Sequence, residues 1–298
     1  MLTRRLVRIR AMQALYAFFI QKESLPATQN HTALLEDQLL KDIEVLRATH
    51  IHYWQMMLFW ATLDAKAIAK KSFSPPCSLA SMPFLTQLKD DKFFVKYRKA
   101  YPFEVPTSLL KRCYYDRIVP NKLYAAYQTK SNTSLKEDQT FLADFFTTIF
   151  QQEKALQDCV KEAWLDEELY SPVLEKCVLF FIETFPKGIP NSFSLYQAST
   201  FKSPCAFYKT LVSHTLDQSA QYEETIKQHS HHWDIHRLVL LDKLLLKMAL
   251  AELEAFPNQP KPIILNEYIE IAKTYSAPKS YRFINGLLDV IIPDKPAS

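Results

Sequence analysis

The stretch HSHHWDIH, residues 229–236, holds four of the eight histidines of this 298-residue chain. Imidazole is a frequent metal ligand and acid–base group, and His232 and His236 would share one face of a helix. However, no neighbouring acid or cysteine completes a convincing tetrahedral ligand set. His50 and His52 would lie on different faces of a helix. The sequence therefore predicts neither a metal site nor a cofactor.

Paired carboxylates are the next candidates for chemistry, but each pair is adjacent in sequence, and adjacent helical residues do not face each other. The pairs are Glu36/Asp37, Asp90/Asp91 and Glu167/Glu168. General acid–base catalysis needs converging groups, so we interpret these acids as solvated surface residues. Gly188 and Gly286 are the only 2 glycines, so no glycine-rich phosphate loop can exist. We predict that the protein is not an enzyme.

The positive charge is concentrated at the N-terminus, although the net charge of the whole chain is only +4. Residues 1–22 contain no acid, and their basic residues are Arg4, Arg5, Arg8, Arg10 and Lys22. A concentrated cationic segment of this kind suits phosphate groups or another polyanion.

A second group of candidate residues lies in NEYIEIAKTYSAPKSYRFINGLLD, residues 266–289. Arg282 stands beside Phe283 and follows Lys279, a combination that could contact phosphates and stack on unpaired bases. The 3.6-residue period places Arg282, Asn285 and Gly286 on one polar face of a helix. Because an interior helical glycine costs about 1 kcal/mol relative to alanine, we interpret Gly286 as permitting close packing. We expect Asn285 to satisfy backbone polar groups nearby.

The elements that would position these residues are helices, since no segment shows strand alternation bounded by hairpin turns. The first helix is apolar around most of its circumference and is expected to be central in a bundle. Ser134 and Glu137 form a capping-box pattern, and Ser203–Pro204 predicts an N-cap followed by proline at the first helical position. The predicted helices span about 5–21, 31–70, 84–99, 107–129, 135–163, 171–185, 204–228, 234–256, 264–275 and 278–291.

The cellular setting is predicted to be the cytoplasm. The five cysteines are scattered and never form CxxC, which is typical of reduced core residues. Arg8, Arg10 and Gln13 interrupt the N-terminal apolar run, which argues against a signal peptide. No apolar run is long enough to span a bilayer.

Three segments of the sequence resemble the NusB family. The C-terminal stretch quoted above, including its Asn-Gly within a helix, is similar to the family's C-terminal motif. RIRAMQALY, residues 8–16, resembles its arginine-rich start, and WDIHRLVLLDKLLLKMALAEL, residues 233–253, resembles an internal helix. The resemblance covers residues 4–20 and about 205–292, whereas residues 25–204 form an intervening segment typical of long Bacteroidetes-type members.

The resemblance implies an all-α fold, a NusB-like helical bundle with a large inserted helical region. We predict that residues 1–24 and 205–293 form the RNA-binding core. Residues 25–204 would be a helical insertion whose role the resemblance does not imply, and residues 294–298 a tail. The implied function is transcription antitermination on ribosomal RNA operons. The implied partners are NusE, which is a small-subunit ribosomal protein, boxA-type single-stranded RNA and the RNA polymerase antitermination complex.

The resemblance also implies roles for single residues. By position, the RNA-binding residues are Arg4, Arg5, Arg8, Arg10, Lys279, Arg282 and Phe283. Tyr16 and Asp242 match positions that face NusE, and Asn285 and Gly286 are interpreted as structural. Two alternatives stay open. The chain could be a helical interaction scaffold without RNA binding. It could instead be an accessory domain of an RNA-modifying enzyme, which the scarcity of glycine disfavours.

Overall fold

The computed structural model describes residues 2–21, 31–70, 74–102, 105–150, 152–161, 167–188, 193–230 and 239–292. These residues are helical or lie in turns and short connections, and no strand occurs among them. The all-α prediction is confirmed. The chain divides into two compact units. One comprises Leu2–Lys41 with Phe201–Ser298 and is called the core unit below, and the other comprises Asp42–Thr200 and is called the inserted unit.

The core unit is built from both ends of the chain. Its helices are α1 (Arg4–Gln21), the first part of α2 (His31–Ile68), most of α10 (Ala198–Asp217), α11 (Ser219–His229), α12 (Leu240–Ala255), α13 (Lys261–Tyr275) and α14 (Ser280–Ile291). α12 packs against α1, α11 and α13, and α13 packs against α14. Apolar side chains nearly surround α12, and it is buried along most of its length, as its sequence favours.

The inserted unit contains the rest of α2 and seven further α-helices. These are α3 (Pro83–Asp90), α4 (Lys92–Ala100), α5 (Thr107–Cys113), α6 (Lys122–Gln128), α7 (Leu135–Phe145), α8 (Lys154–Lys161) and α9 (Glu167–Thr184). Large aromatic side chains dominate its interior, among them Tyr53, Trp54, Trp60 and Phe181. Edge-to-face and tilted ring contacts such as Trp54–Phe181, at 5.2 Å between centroids, contribute beyond simple burial.

Several predicted helices are interrupted in the structure. The expected helix at 84–99 breaks at Asp91, whose Oδ1 accepts from the Phe94 amide at 2.8 Å and caps α4. α5 and α7 each run into a π-helical turn, Tyr114–Ile118 and Phe146–Phe150 respectively. Single π turns inserted in α-helices are rare and carry no residue signature that the sequence pattern could reveal.

The helix-start predictions had different outcomes. The capping box of Ser134 and Glu137 is confirmed, with both reciprocal hydrogen bonds present. The prediction of a helix start at Ser203–Pro204 is wrong, because α10 already begins at Ala198 and Pro204 lies inside it. Pro204 is still near enough to the N-terminus that little of the helix precedes it.

The chain divides at different residues from those predicted. The structure assigns residues up to Lys41 to the core unit, whereas the predicted core segment ends at residue 24. On the C-terminal side the core unit resumes at Phe201 rather than residue 205. One contact explains why the start of α2 belongs with the core: the Tyr208 hydroxyl donates to the Leu35 carbonyl at 2.8 Å. In the part of the chain that the structure describes, no helix is long and apolar enough to cross a membrane.

A buried carboxylate organises part of the inserted unit and yields a stability prediction. Asp64 accepts from the Tyr114 hydroxyl at 2.7 Å and from the Ala80 amide at 3.1 Å. Tyr114→Phe removes one of these hydrogen bonds to a buried charge, and we expect it to lower the free energy of unfolding by about 1.5–3 kcal/mol. Urea denaturation followed by circular dichroism measures the change.

The adjacent residue supplies the control for that measurement. Tyr115 is 56% exposed, so Tyr115→Phe is expected to change stability by less than about 0.5 kcal/mol. If both substitutions changed the free energy of unfolding equally, the Tyr114–Asp64 hydrogen bond would make no specific contribution to stability.

Candidate nucleic-acid interface

The N-terminal arginines do not all lie on one surface, because Arg8 points into the core unit. Arg8 is 2% exposed, and its guanidinium donates to Glu252 at 2.8 Å through Nε and at 2.5 Å through Nη2. Glu252 is 0% exposed and also accepts from the Tyr268 hydroxyl at 2.8 Å. Burial opposes the charged form of Arg8, but Glu252 outweighs it and the pKa of Arg8 is raised. We therefore remove Arg8 from the predicted RNA-binding set and assign it to the core.

Arg5 lies at the surface and makes a bidentate ion pair with Glu267 of α13. Its Nε and Nη2 donate to the two carboxylate oxygens at 2.9 and 2.7 Å. Hydrogen bonding from Arg5 lowers the pKa of Glu267, so the carboxylate stays charged and keeps the pair intact at neutral pH. Because Glu267 engages Nε and Nη2 and offsets the charge of the guanidinium, a phosphate would have to compete with this pair for Arg5.

Arg4 and Arg10 differ in their exposure to solvent. Arg4 is exposed, and its guanidinium carbon lies 5.3 Å from the centre of the Phe207 ring. No carboxylate among the described residues pairs with it. Arg10 is 4% exposed and donates to Gln13 at 2.6 Å. Of the four predicted arginines, Arg4 is the best placed to meet an external anion.

Lys279 has the most unusual backbone in the described chain. Its φ is +80° and its ψ is −10°, and it is the only non-glycine residue described with a positive φ. The Ser280 amide donates to the Ala277 carbonyl at 3.0 Å, so residues 277–280 form a type II turn with Lys279 at its third position. Glycine or asparagine normally stands there, and a left-handed lysine costs about 1–2 kcal/mol. Such strain is concentrated at functional sites, which makes Lys279 a stronger candidate.

Asp242 holds this turn in place. It is 4% exposed, and its carboxylate accepts from the hydroxyls of Ser276 and of Ser280, the latter at 2.8 Å. The predicted contact of Asp242 with NusE does not agree with this position, since a buried carboxylate engaged on both oxygens has little surface for a partner. We assign Asp242 to positioning the Lys279 turn from the first turn of α12.

Arg282 belongs to a cluster of cations and aromatic rings at the start of α14. Its guanidinium lies 5.8 Å from the centre of the Tyr281 ring, and Lys273 lies 5.5 Å from the same ring. Arg282 is exposed, Phe283 is half-buried, and neither Arg282 nor Lys279 has a carboxylate partner among the described residues. Tyr281 and Lys273 were missed in the sequence analysis. The segment KTYSAPKSYRF, which runs from the end of α13 to the start of α14, contains both residues as a further aromatic and a further cation.

α13 connects the N-terminal arginines with this cluster. Arg5 pairs with Glu267 near the middle of α13, and the nearby Glu270 accepts from Lys273 at 2.6 Å. Lys273 in turn lies over Tyr281, as described above. Glu267 and Lys273 are about 9 Å apart along the axis of α13 at 1.5 Å per residue. Two basic segments at opposite ends of the sequence are therefore linked along a single helix.

The structural interpretations of Asn285 and Gly286 have different outcomes. Asn285 is exposed and donates to Asp289 at 2.9 Å within its own helix, so it does not satisfy backbone groups elsewhere. A Cβ built on Gly286 would meet no heavy atom of the described residues within 4 Å. No contact among the described residues therefore accounts for a glycine at position 286, so its packing role stays a prediction.

The remaining candidates are placed as follows. Tyr16 is 38% exposed on α1, so its predicted contact with a partner stays a prediction. His231, His232 and His236 lie outside the described residues, and His229 Nδ1 lies 2.9 Å from the Thr225 carbonyl. No group of three histidine, cysteine or acidic residues in the described ranges could hold a metal ion.

His50 has a packing role in the inserted unit. Its Nε2 accepts from the Trp54 indole at 3.2 Å, and its Nδ1 lies 3.0 Å from the Tyr196 hydroxyl. Complete burial lowers the pKa of His50 to about 3, which keeps it neutral at physiological pH.

Comparison with known proteins identifies the C-terminal part of the chain. The NusB family model matches residues 189–293, which include the Lys279 turn and the cluster around Arg282. This part of the chain, residues 189–293, is therefore similar to the NusB family. The match excludes α1, so the roles of the N-terminal arginines depend on the resemblance of their own segment. Of these arginines, Arg5 and Arg8 contact α13, through Glu267.

The relatives carry the name transcription antitermination protein NusB. The protein from Salinibacter ruber is 41% identical over 88 residues, which are 30% of this chain and 55% of the relative. The protein from Koribacter versatilis is 40% identical over 74 residues, 25% of this chain and 51% of the relative. The protein from Lysinibacillus sphaericus is 35% identical over 82 residues, 28% of this chain and 65% of the relative. The chain thus spans 51–65% of the length of these relatives. No solved structure matches it.

The buried Arg8–Glu252 pair generates a stability prediction for the core unit. Arg8→Ala leaves Glu252 buried without its cation, and we expect a loss of about 3–5 kcal/mol in the free energy of unfolding. Urea denaturation of the full chain measures the loss. Faster amide hydrogen exchange in α12 of the variant would show that this helix is destabilised.

Arg5→Ala is the matched control, because Arg5 lies in the same helix but its ion pair is half-exposed. The expected loss is about 0–1 kcal/mol, as for other surface pairs. Similar losses for both variants would contradict the assignment of Arg8 to the core.

Gly286 generates a second stability prediction, for the segment that matches the NusB family. Since the site is helical and open, Gly286→Ala should raise the free energy of unfolding by about 0.5–1 kcal/mol. Gly188→Ala is the contrasting control, because Gly188 ends a helical turn at φ +63° and alanine is strained there. Thermal denaturation should show opposite shifts. A destabilising Gly286→Ala would mean that the glycine has a packing role after all.

Proposed function

We propose that this protein is a non-catalytic, RNA-binding transcription antitermination factor. It would bind boxA-type single-stranded RNA together with NusE and support processive transcription of ribosomal RNA operons within the RNA polymerase antitermination complex. The observation that carries the proposal is the strained Lys279 turn beside Arg282 and Tyr281, inside the segment that matches the NusB family.

The chemistry of this cluster suits single-stranded RNA. Lys279 and Arg282 are exposed and have no carboxylate partner among the described residues, which favours phosphate contacts. Phe283 and Tyr281 offer aromatic surface on which unpaired bases can stack. Arg4, on α1 of the same unit, adds a further exposed cation without a carboxylate partner among the described residues. Tyr16 is the residue that we propose for the contact with NusE.

Lys279→Gly with Arg282→Ala tests the proposal without damaging the fold. Glycine suits the left-handed position, so relief of strain should offset the greater freedom of the unfolded chain, and stability should stay within about 1 kcal/mol. The control, Lys202→Ala with Lys261→Ala, removes the same charge from exposed lysines elsewhere in the core unit.

The measurement is fluorescence anisotropy with boxA RNA and a scrambled RNA, each with and without the protein's own NusE. We expect the unmodified chain to prefer boxA when NusE is present. The test variant should bind at least several-fold more weakly, and its salt dependence should fall by about 0.7 per lost phosphate contact. Absence of any preference for boxA would falsify the proposal and favour an interaction scaffold without RNA binding.

A further inference from the structure

A second cationic surface lies in the inserted unit, on α4. This helix, KFFVKYRKA, contains Lys92, Lys96, Arg98 and Lys99 and no acid. Positions 92, 96 and 99 have the spacing i, i+4, i+7, so these three lysines share one face. All three are exposed, and Lys92 and Lys99 are about 10 Å apart along the axis.

The lysines of α4 differ from several other basic residues of the inserted unit, which are paired with carboxylates. Lys130 pairs with Glu137 at 2.8 Å, and Arg117 pairs with Glu153 at 3.0 Å. By contrast, none of the four cations of α4 has a carboxylate partner among the described residues. The nearest acid in sequence, Asp91, is already used as the N-cap of α4. Among the described residues of the unit, no carboxylate therefore neutralises the positive charge of α4.

Aromatic side chains run beside the lysine face. Phe93 and Tyr97 are one helical turn apart, and Phe93 is 61% exposed. Lys96 Nζ lies 5.8 Å from the centre of the Tyr97 ring. A solvated surface helix gains nothing from exposing a phenylalanine, whereas a ring next to unpaired cations offers a base a surface to stack on.

The aromatic row also fixes the orientation of α4. Tyr97 stacks on Tyr196 with 4.2 Å between ring centres, and Phe93 lies 5.7 Å from the buried ring of Phe193. Phe94 is fully buried on the opposite side. These contacts hold the lysine face outward, so ligand binding would not have to order the helix.

We propose that this face of α4 is a second binding surface for single-stranded RNA. Lys92, Lys96 and Lys99 would contact successive phosphates, and Phe93 would stack on a base. The pairing of a cationic row with an exposed aromatic favours a single strand over an acidic peptide or a lipid surface, which have no bases to stack. The choice of RNA rather than DNA rests on the proposed function of the chain.

The test uses the full-length protein with Lys92→Ala, Lys96→Ala and Lys99→Ala combined, and separately with Phe93→Ala. The control combines Lys111→Ala, Lys122→Ala and Lys136→Ala, which removes the same charge from exposed lysines of the same unit. Circular dichroism confirms folding of each variant. The probes are a 12-nucleotide oligouridylate, the DNA oligothymidylate of equal length, and vesicles of phosphatidylserine and phosphatidylcholine.

We expect the α4 triple variant to bind oligouridylate about tenfold more weakly, and its salt slope to fall by about 2, from about 0.7 for each phosphate contact. Phe93→Ala should weaken binding several-fold with the salt slope unchanged, since stacking releases no counterions. The control should change affinity less than twofold. Ultraviolet cross-linking of 4-thiouridine RNA should label a peptide containing residues 92–100.

Several outcomes would overturn the inference. These are equal losses for the triple variant and its control, tighter binding of oligothymidylate than oligouridylate, and loss of vesicle binding with RNA binding intact. The result is separable from the test of Lys279 and Arg282. If the protein shows no boxA preference but cross-linking at α4 is intact, only the proposed function is contradicted. If the protein prefers boxA but shows no cross-linking at α4, only the inference about α4 is contradicted.

Discussion

The core unit depends on the buried ion pair between Arg8 and Glu252. Two charges inside a protein are tolerated only when they are paired and their remaining hydrogen-bonding atoms are satisfied. Glu252 meets that condition with Arg8 and the hydroxyl of Tyr268, so α1 must stay docked on α12 and α13. Residue 8 and residue 252 are separated by most of the sequence. The pair therefore joins the two ends of the chain into one folded unit despite the long segment between them.

Arg8 also anchors the end of α1 that carries the other arginines. Arg4 and Arg5 lie one turn before Arg8 on the same side of the helix, where both are exposed and Arg5 meets Glu267 at the surface. In the same way, Asp242 is held inside and its contacts with Ser276 and Ser280 fix the turn that carries Lys279. In both cases a buried charged residue positions exposed cations without contacting a ligand itself.

The sequence was sufficient for the fold class and for most helices, because periodicity and proline positions are local properties. It could not predict the burial of Arg8, since nothing near residue 8 indicates that a carboxylate 244 positions away will be buried beside it. The positive φ of Lys279 was equally hidden, because only glycine or asparagine would have signalled it. Gly286 differs for the opposite reason: a helical glycine suggests a close contact, and none occurs among the residues that the structure describes.

The two candidate interfaces share one combination, which is exposed cations without a carboxylate partner among the described residues and an aromatic ring beside them. A cation paired with a carboxylate, such as Lys130 or Arg5, must give up that pair before it can bind a phosphate. Lys279, Arg282 and the lysines of α4 have no such competitor among the described residues, and each group stands beside an aromatic ring. Because phosphate contacts gain their free energy largely from counterion release, unpaired cations contribute most of it. The same reasoning selects one surface in the core unit and one in the inserted unit, independently of family resemblance.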